Sequence, residues 1–192
     1  MPVPPSDCAA ILLAAGAGSR FTGSTHKLLA PFHGTTVFAS SLASLEAAGF
    51  ARVIVITGAV ELPDESRDGT YVEFVTNDRW AEGQATSVRC GVEHARRLGF
   101  DSVVIGLADQ PMVTPEAWRA VAHAPTPIGV ATYGGERGNP VKLHSSTWHL
   151  LPADGDVGAR DIIRLHPELV SEVACDGSGA DIDTHEDLDT WT

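Results

Sequence analysis

Short apolar runs rich in β-branched residues alternate along this chain with segments whose apolar positions recur at helical spacing, and few folds accommodate that alternation. It is the pattern of an α/β/α sandwich, a mostly parallel central sheet with helices on both faces. The runs at 9–14, 53–57, 72–75 and 102–106 are mostly apolar throughout, as strands covered on both sides must be. Between the first two, Val37, Phe38, Leu42, Leu45 and Ala48 share one helical face and Gly49 stops the run. A second helix is expected over 85–98, with Val88, Val92, Ala95 and Leu98 inward, Arg96 and Arg97 in the last turn, and Gly99 as the stop. Thr114-Pro115-Glu116 reads as N-cap, N1 proline and acidic first turn of a helix that carries Trp118 and Val121 to the core.

The second half predicts strands at 129–132 and 140–143, suited to antiparallel pairing. They are joined by Tyr133-Gly134-Gly135-Glu136-Arg137-Gly138-Asn139, read as a glycine-rich loop without regular structure. A helix at 159–165, a strand at 170–174 and a final helix capped by Thr184 with Asp187 at N3 complete the pattern. With 192 residues, no repeat and no linker, residues 1–192 are expected to form one domain.

Composition narrows the class of function. Hydrophobic residues make up 43% and charged residues 20%, which fits a packed globular chain and not a disordered or coiled-coil one. Thirteen Lys+Arg against 25 Asp+Glu give a formal charge of -12, which repels polyanions, so neither a nucleic-acid nor a membrane partner is expected. A small phosphorylated ligand stays compatible, because local donors or a divalent cation outweigh a distant field. Cys8, Cys90 and Cys175 are scattered, with no spacing that clips zinc. Residues 8–15 have the length of a signal-peptide apolar region, but 1–7 contain no Lys or Arg, so a cytoplasmic location is expected.

The most informative stretch follows the first strand: Leu13-Ala14-Ala15-Gly16-Ala17-Gly18-Ser19-Arg20-Phe21, then Lys27-Leu28-Leu29. A dinucleotide fingerprint fails because Phe21 stands where its third glycine belongs, and a Walker A loop fails because Gly18 and Gly23 lack the lysine. Gly16 and Gly18 nevertheless allow backbone amides to approach oxygens closely, and Arg20 and Lys27 add donors suited to a triphosphate. A tight turn with two surface cations fits the same residues.

Three further stretches carry candidate chemistry. Asp109, in Ala108-Asp109-Gln110-Pro111, lies where the strand at 102–106 ends, the edge at which α/β sheets collect ligands; it suits Mg²⁺ or simply a hydrogen bond within the proline turn. Asp183, in Asp181-Ile182-Asp183-Thr184, is a second metal ligand or one of several acids favoured at a helix start. The segment 77–87 offers Trp80, Gln84 and Ser87 to a base or an acceptor, or else places Trp80 in the core and uses Thr86 or Ser87 as a helix cap.

Taken in order, Leu13-Ala14-Ala15-Gly16-x-Gly18-x-Arg20, Lys27-Leu28-Leu29, Ala108-Asp109-Gln110-Pro111 and Asp181-Ile182-Asp183-Thr184 resemble the molybdenum cofactor nucleotidyltransferases, in particular the cytidylyltransferase branch. Arg137-Gly138-Asn139-Pro140 and Gly155-Asp156-x-Gly158-Ala159-Arg160 are similar to two further segments of that family, with Asn139 in place of its usual histidine. Phe21-Thr22 also departs from its common pattern.

The resemblance implies a Rossmann-like nucleotidyltransferase whose N-terminal part binds nucleotide and whose C-terminal part binds acceptor. Leu13, Ala14, Ala15, Gly16, Gly18, Arg20, Lys27 and Asp109 would contact the NTP. Asp109 and Asp183 would hold Mg²⁺, with Arg20, Lys27 and Asp109 carrying catalysis. Trp80, Gln84, Ser87 and Asn139 would face the acceptor. Ala15 points to CTP, so the implied reaction is transfer of CMP from CTP to molybdopterin with release of pyrophosphate, the product passing to a molybdoenzyme. Transfer from GTP or another NTP to a different phosphorylated acceptor is the alternative, and a non-catalytic molybdenum-cofactor-binding chaperone is the reading from another class.

Overall fold

The strand Cys8–Ala14, β1, is buried at every position because successive side chains feed two separate cores. Ala10, Leu12 and Ala14 enter one layer, and Ala9, Ile11 and Leu13 the other, the period-two alternation of a strand covered on both faces. The computed structural model describes residues 2–21, 25–65, 71–156 and 158–191. Thr22, Gly23 and Ser24 of the glycine-rich stretch lie outside the described residues.

After β1 the chain forms a two-stranded ribbon of β2 (Pro31–Phe32) and β3 (Thr35–Thr36), and then α1 (Val37–Ala48), which ends at Gly49. Thr36 caps α1 by accepting from the Ala39 amide, and Val37, Phe38, Leu42, Leu45 and Ala48 are all fully buried on the expected face. Burying each such Leu or Phe contributes about 1.5–3 kcal/mol. β4 (Val53–Thr57) and β5 (Val72–Thr76) continue the sheet outward on one side of β1. α2 (Gln84–Arg97) then returns the chain across the opposite face, and β6 (Ser102–Leu107) pairs with the other edge of β1. Leu98, expected on the buried face of α2, is 41% exposed, because the helix stops at Arg97 and Leu98 is its C-cap.

α3 (Pro115–Ala122) begins as the sequence predicts: Thr114 accepts from the Ala117 amide, and Trp118 and Val121 are buried. β7 (Ile128–Tyr133) and β8 (Glu136–His144) follow, then α4 (Arg160–Leu165), β9 (Val170–Ala174) and α5 (His185–Trp191). The seven-stranded sheet has the order β5-β4-β1-β6-β8-β7-β9. β8 runs antiparallel to both neighbours and the remaining pairs are parallel, so the sheet is mixed but mostly parallel.

The expectation of an irregular loop over 133–139 is corrected. Tyr133 pairs with Glu136 and Thr132 with Arg137, so only Gly134 and Gly135 form the turn. Their φ values of 59° and 91° suit the two-residue turn that matches strand twist. Pro140 is tolerated because the register jumps from Ala131↔Gly138 to Val130↔Val141, leaving Asn139 and Pro140 in a bulge with no ladder bond to make.

Among the described residues no helix is long and apolar enough to cross a membrane.

Candidate active site

The chain leaves β1 toward β4 on one side and later places β6 on the other, so the carboxyl ends of β1 and β6 flank a topological switch point. The glycine-rich stretch starts at the end of β1, and Asp109 follows β6 by two residues. A cavity of about 400 Å³ opens there, lined by Leu13, Ala14, Gly16, Gly18, Arg20, Lys27, Asp109 and Asp183. A larger cavity of about 810 Å³ lies between α2 and residues 145–153; it contains none of these, so its size says nothing about this chemistry.

Lys27 is the pivot of the smaller cavity. Its Nζ donates to Asp109 Oδ2 at 2.5 Å and to Asp183 Oδ1 at 2.8 Å, while Arg20 reaches Asp183 Oδ2 at 2.9 Å. Burial pulls the Lys27 ammonium down, but Asp109 and Asp183 outweigh it and leave its pKa above the ordinary lysine value. Lys27 therefore stays charged.

Asp183 is placed from two sides. Ile182 is fully buried beneath it and its amide donates to Asp109 O at 2.8 Å, tying the two acidic segments together. On its other side the expected cap is present: Asp187 Oδ2 accepts from the Asp183 and Thr184 amides, and the Asp187 amide donates to Thr184 Oγ1. The Phe21 ring stacks on His185 at 4.1 Å between centroids, which joins the glycine-rich stretch to α5.

Two positioning residues escaped sequence reasoning. Gln110 is 5% exposed, and its Nε2 donates to both Gly179 O and Asp181 Oδ1 at 2.7 Å, fastening the Asp109 turn to the segment that ends in Asp183. Burial and the neighbouring Asp109 push the Asp181 carboxyl above its usual range, against the opposing pull of the Gln110 amide. His26 accepts from the Leu28 amide through Nδ1, so Nε2 carries the proton that it donates to Gly16 O at 3.0 Å. No motif marks either residue; Gln110 was legible only as part of the proline turn, and His26 carried no signal.

The remaining candidates divide. Ala15 does not line the cavity; it is 4% exposed and sits beside Gly58 and Trp80, since a methyl at Gly58 would fall 2.7 Å from Trp80 Cβ and 2.9 Å from Ala15 Cβ. Trp80 packs against the apolar layer under α2. Gln84 and Asn139 both line a further, narrow slot of about 40 Å³ that shares Leu13 with the glycine-lined cavity. Ser87 is buried, and its hydroxyl accepts from Asn77 Nδ2, so it supports the segment from beneath. Neither Thr86 nor Ser87 caps α2: the helix starts at Gln84, and Thr86 Oγ1 donates back to Gly83 O and Arg79 O.

Among the described residues no three His, Cys, Asp or Glu side chains are arranged to hold a metal ion. Two carboxylates suffice when phosphates and water supply the other oxygens. Asp109 Oδ1 is buried without a hydrogen-bond partner, an arrangement that costs free energy until something positive or protic meets it. The pair of acids, one with an orphaned oxygen, fits a hard divalent cation.

A family model for the MobA-like NTP transferase domain matches residues 10–172. The chain belongs to that family. Two relatives of this MobA-like domain are the nicotine blue oxidoreductase of Paenarthrobacter nicotinovorans and the purine catabolism protein PucB of Bacillus subtilis, each 30% identical over 93% of both chains. The solved structure of Rv0371c from Mycobacterium tuberculosis H37Rv is 30% identical, with a TM-score of 0.76 over 100% of this chain and 98% of that one. A second structure of Rv0371c, in complex with manganese, is 29% identical, with a TM-score of 0.73 over 96% and 97% of the two chains. The MobA-like domain thus has the α/β nucleotidyltransferase fold, in its mixed-sheet form.

Proposed function

We propose that residues 1–192 act as one nucleotidyltransferase domain, in which a nucleoside monophosphate passes from an NTP to a phosphorylated small molecule and pyrophosphate is released. The observation that carries this reading is the Asp109 and Asp183 pair closed on Lys27, with Asp109 Oδ1 left over, at the mouth of the glycine-lined cavity. Family membership and the manganese complex of Rv0371c support the reaction class and a divalent metal.

Asp109 and Asp183 would hold Mg²⁺, which when bound supplies charge neutralisation to the phosphates. Gly16 and Gly18 leave room for the triphosphate against the backbone, and Lys27 and Arg20 donate to its oxygens. An oxygen of the acceptor's phosphate attacks the α-phosphorus, the bond to the α,β-bridging oxygen breaks, and pyrophosphate leaves. Positioning and charge carry the displacement, and no covalent protein nucleophile takes part.

The specific form we test first is CMP transfer from CTP to molybdopterin in the cytoplasm, with a molybdoenzyme as recipient. Ala15 favours CTP through the family pattern, and because it is buried outside the cavity lining it would act through the pocket wall and not on the base directly. The names of the two 30% relatives point to other metabolism, so other phosphorylated acceptors are tested beside molybdopterin. Calorimetric titration of CTP and GTP with Mg²⁺, repeated on Asp109→Ala, is the first measurement; pyrophosphate release with each acceptor is the second. CTP binding that exceeds GTP binding and weakens in Asp109→Ala is expected. No nucleotide binding overturns the proposal, and molybdopterin binding without pyrophosphate release from any NTP replaces it with a carrier.

A further inference from the structure

The narrow slot that shares Leu13 with the nucleotide cavity is walled by Val88, Ile105, Val141 and Ile163, with Gln84, Asn139 and Arg160 as its polar residues. Arg160 stands apart from every other described arginine. Each of the other nine donates to a carboxylate, a carbonyl or a histidine ring, as Arg20 does to Asp183 and Arg137 to Glu172. Arg160 makes no such contact among the described residues, although the chain carries 25 acids against 13 bases. Its sequence neighbour Asp161 is taken by Arg164 at 3.0 Å.

The segment that bears Arg160 is also held firmly. The Gly155 amide donates to Glu82 O at 3.0 Å and Gly155 O accepts from the Ala85 amide at 2.9 Å, so Gly155 is clamped to the start of α2. The same segment sends Asp156 into the nucleotide cavity and Arg160 into the slot, one on each side of Leu13.

We infer that Arg160 binds the phosphate of the acceptor. The inference rests on the nucleotidyl-transfer reading, and it gives the acceptor a chemistry: a phosphate over Arg160, Gln84 and Asn139, joined to a small apolar group or ring edge that enters a slot with room for little more than one such group. The body of the acceptor lies outside the slot. A guanidinium that no carboxylate of the described residues meets can take an anion, and its place beside Leu13 brings that anion next to the nucleotide cavity.

Inorganic phosphate is the probe. It is titrated into ¹⁵N-labelled protein with and without CTP and Mg²⁺, following the Arg160 Nε–Hε signal and the side-chain amides of Gln84 and Asn139. Saturable shifts at all three are expected, lost at Gln84 and Asn139 in Arg160→Gln and partly kept in Arg160→Lys. Arg160 is exposed, so these variants keep the core intact. With any acceptor that supports pyrophosphate release, Arg160→Gln is expected to raise the acceptor KM about tenfold or more while CTP affinity stays within about twofold. Phosphate shifts confined to residues 16–27, or Gln84 and Asn139 shifts unchanged in Arg160→Gln, overturn the assignment. Phosphate uptake at Arg160 without nucleotide binding supports it and overturns the function proposed above; nucleotide binding without a phosphate shift at Arg160 does the reverse.

Discussion

Lys27 Nζ lies 2.5 Å from Asp109 Oδ2 and also bonds Asp183, so one ammonium keeps two half-buried carboxylates together. Replacing it by the uncharged Lys27→Met leaves the acids facing each other. The metal-free variant is expected to lose about 2 kcal/mol of stability, and Mn²⁺ to restore most of it by neutralising the same pair. Thermal unfolding with and without Mn²⁺ checks this. A metal-free variant as stable as the parent would mean that the acids carry no mutual repulsion.

Gln110 holds the segment that delivers Asp183 through its paired bonds to Gly179 and Asp181. Gln110→Met is expected to lower Mn²⁺ affinity about tenfold, on the scale of lost support behind a metal ligand, while leaving the glycine-lined cavity formed. Calorimetric titration of Mn²⁺ reads the effect. Undiminished affinity would show that the Ile182 amide bond to Asp109 positions Asp183 without help from Gln110.

Gly83 adopts φ 109°, and a Cβ there would fall 2.4 Å from the carbonyl carbon of Gly155. Gly99, at φ 87°, has open space around the same position. Gly99→Ala is therefore expected to cost about 1 kcal/mol from backbone strain alone, and Gly83→Ala clearly more, because backbone must move as well. Hydrogen exchange at the Ala85 and Gly155 amides should rise in Gly83→Ala only. Equal melting temperatures for the two variants would remove the clamp from the account.

Cys8 is fully buried at the start of β1, and burial pushes its thiol from 9.0 up to about 12. Above pH 9 the unfolded chain releases this proton while the folded chain keeps it, so stability falls as pH rises, by roughly 1 kcal/mol at pH 10. Denaturant titrations at pH 8 and pH 10 should show that loss in the parent and lack it in Cys8→Ala. An identical slope in both would assign the alkaline loss to other groups.

Local chemistry made much of the fold legible. The apolar runs, the Thr114 cap and the Thr184 and Asp187 cap depend on neighbours within four residues, and these elements stand where pattern places them. Two stretches were misread although their partners lie within ten residues, because the bonds they make depend on how the chain turns back on itself. The stretch at 133–139 reads as a loop until β7 and β8 pair across the two glycines, and Ser87 reads as an acceptor contact or a helix cap until Asn77 occupies it from below.

The same division runs through the candidate site. Residue order alone supplies the chemical groups: a glycine-rich stretch after an apolar strand, two acids at element ends, and an arginine after a second glycine pair. Folding in three dimensions is what closes Lys27 on Asp109 and Asp183, 82 and 156 residues away, sets Gly58 between Ala15 and Trp80, and leaves Arg160 without a carboxylate among the described residues. Charges act through space, and which of them meet is set by the crossover that brings the ends of β1 and β6 side by side.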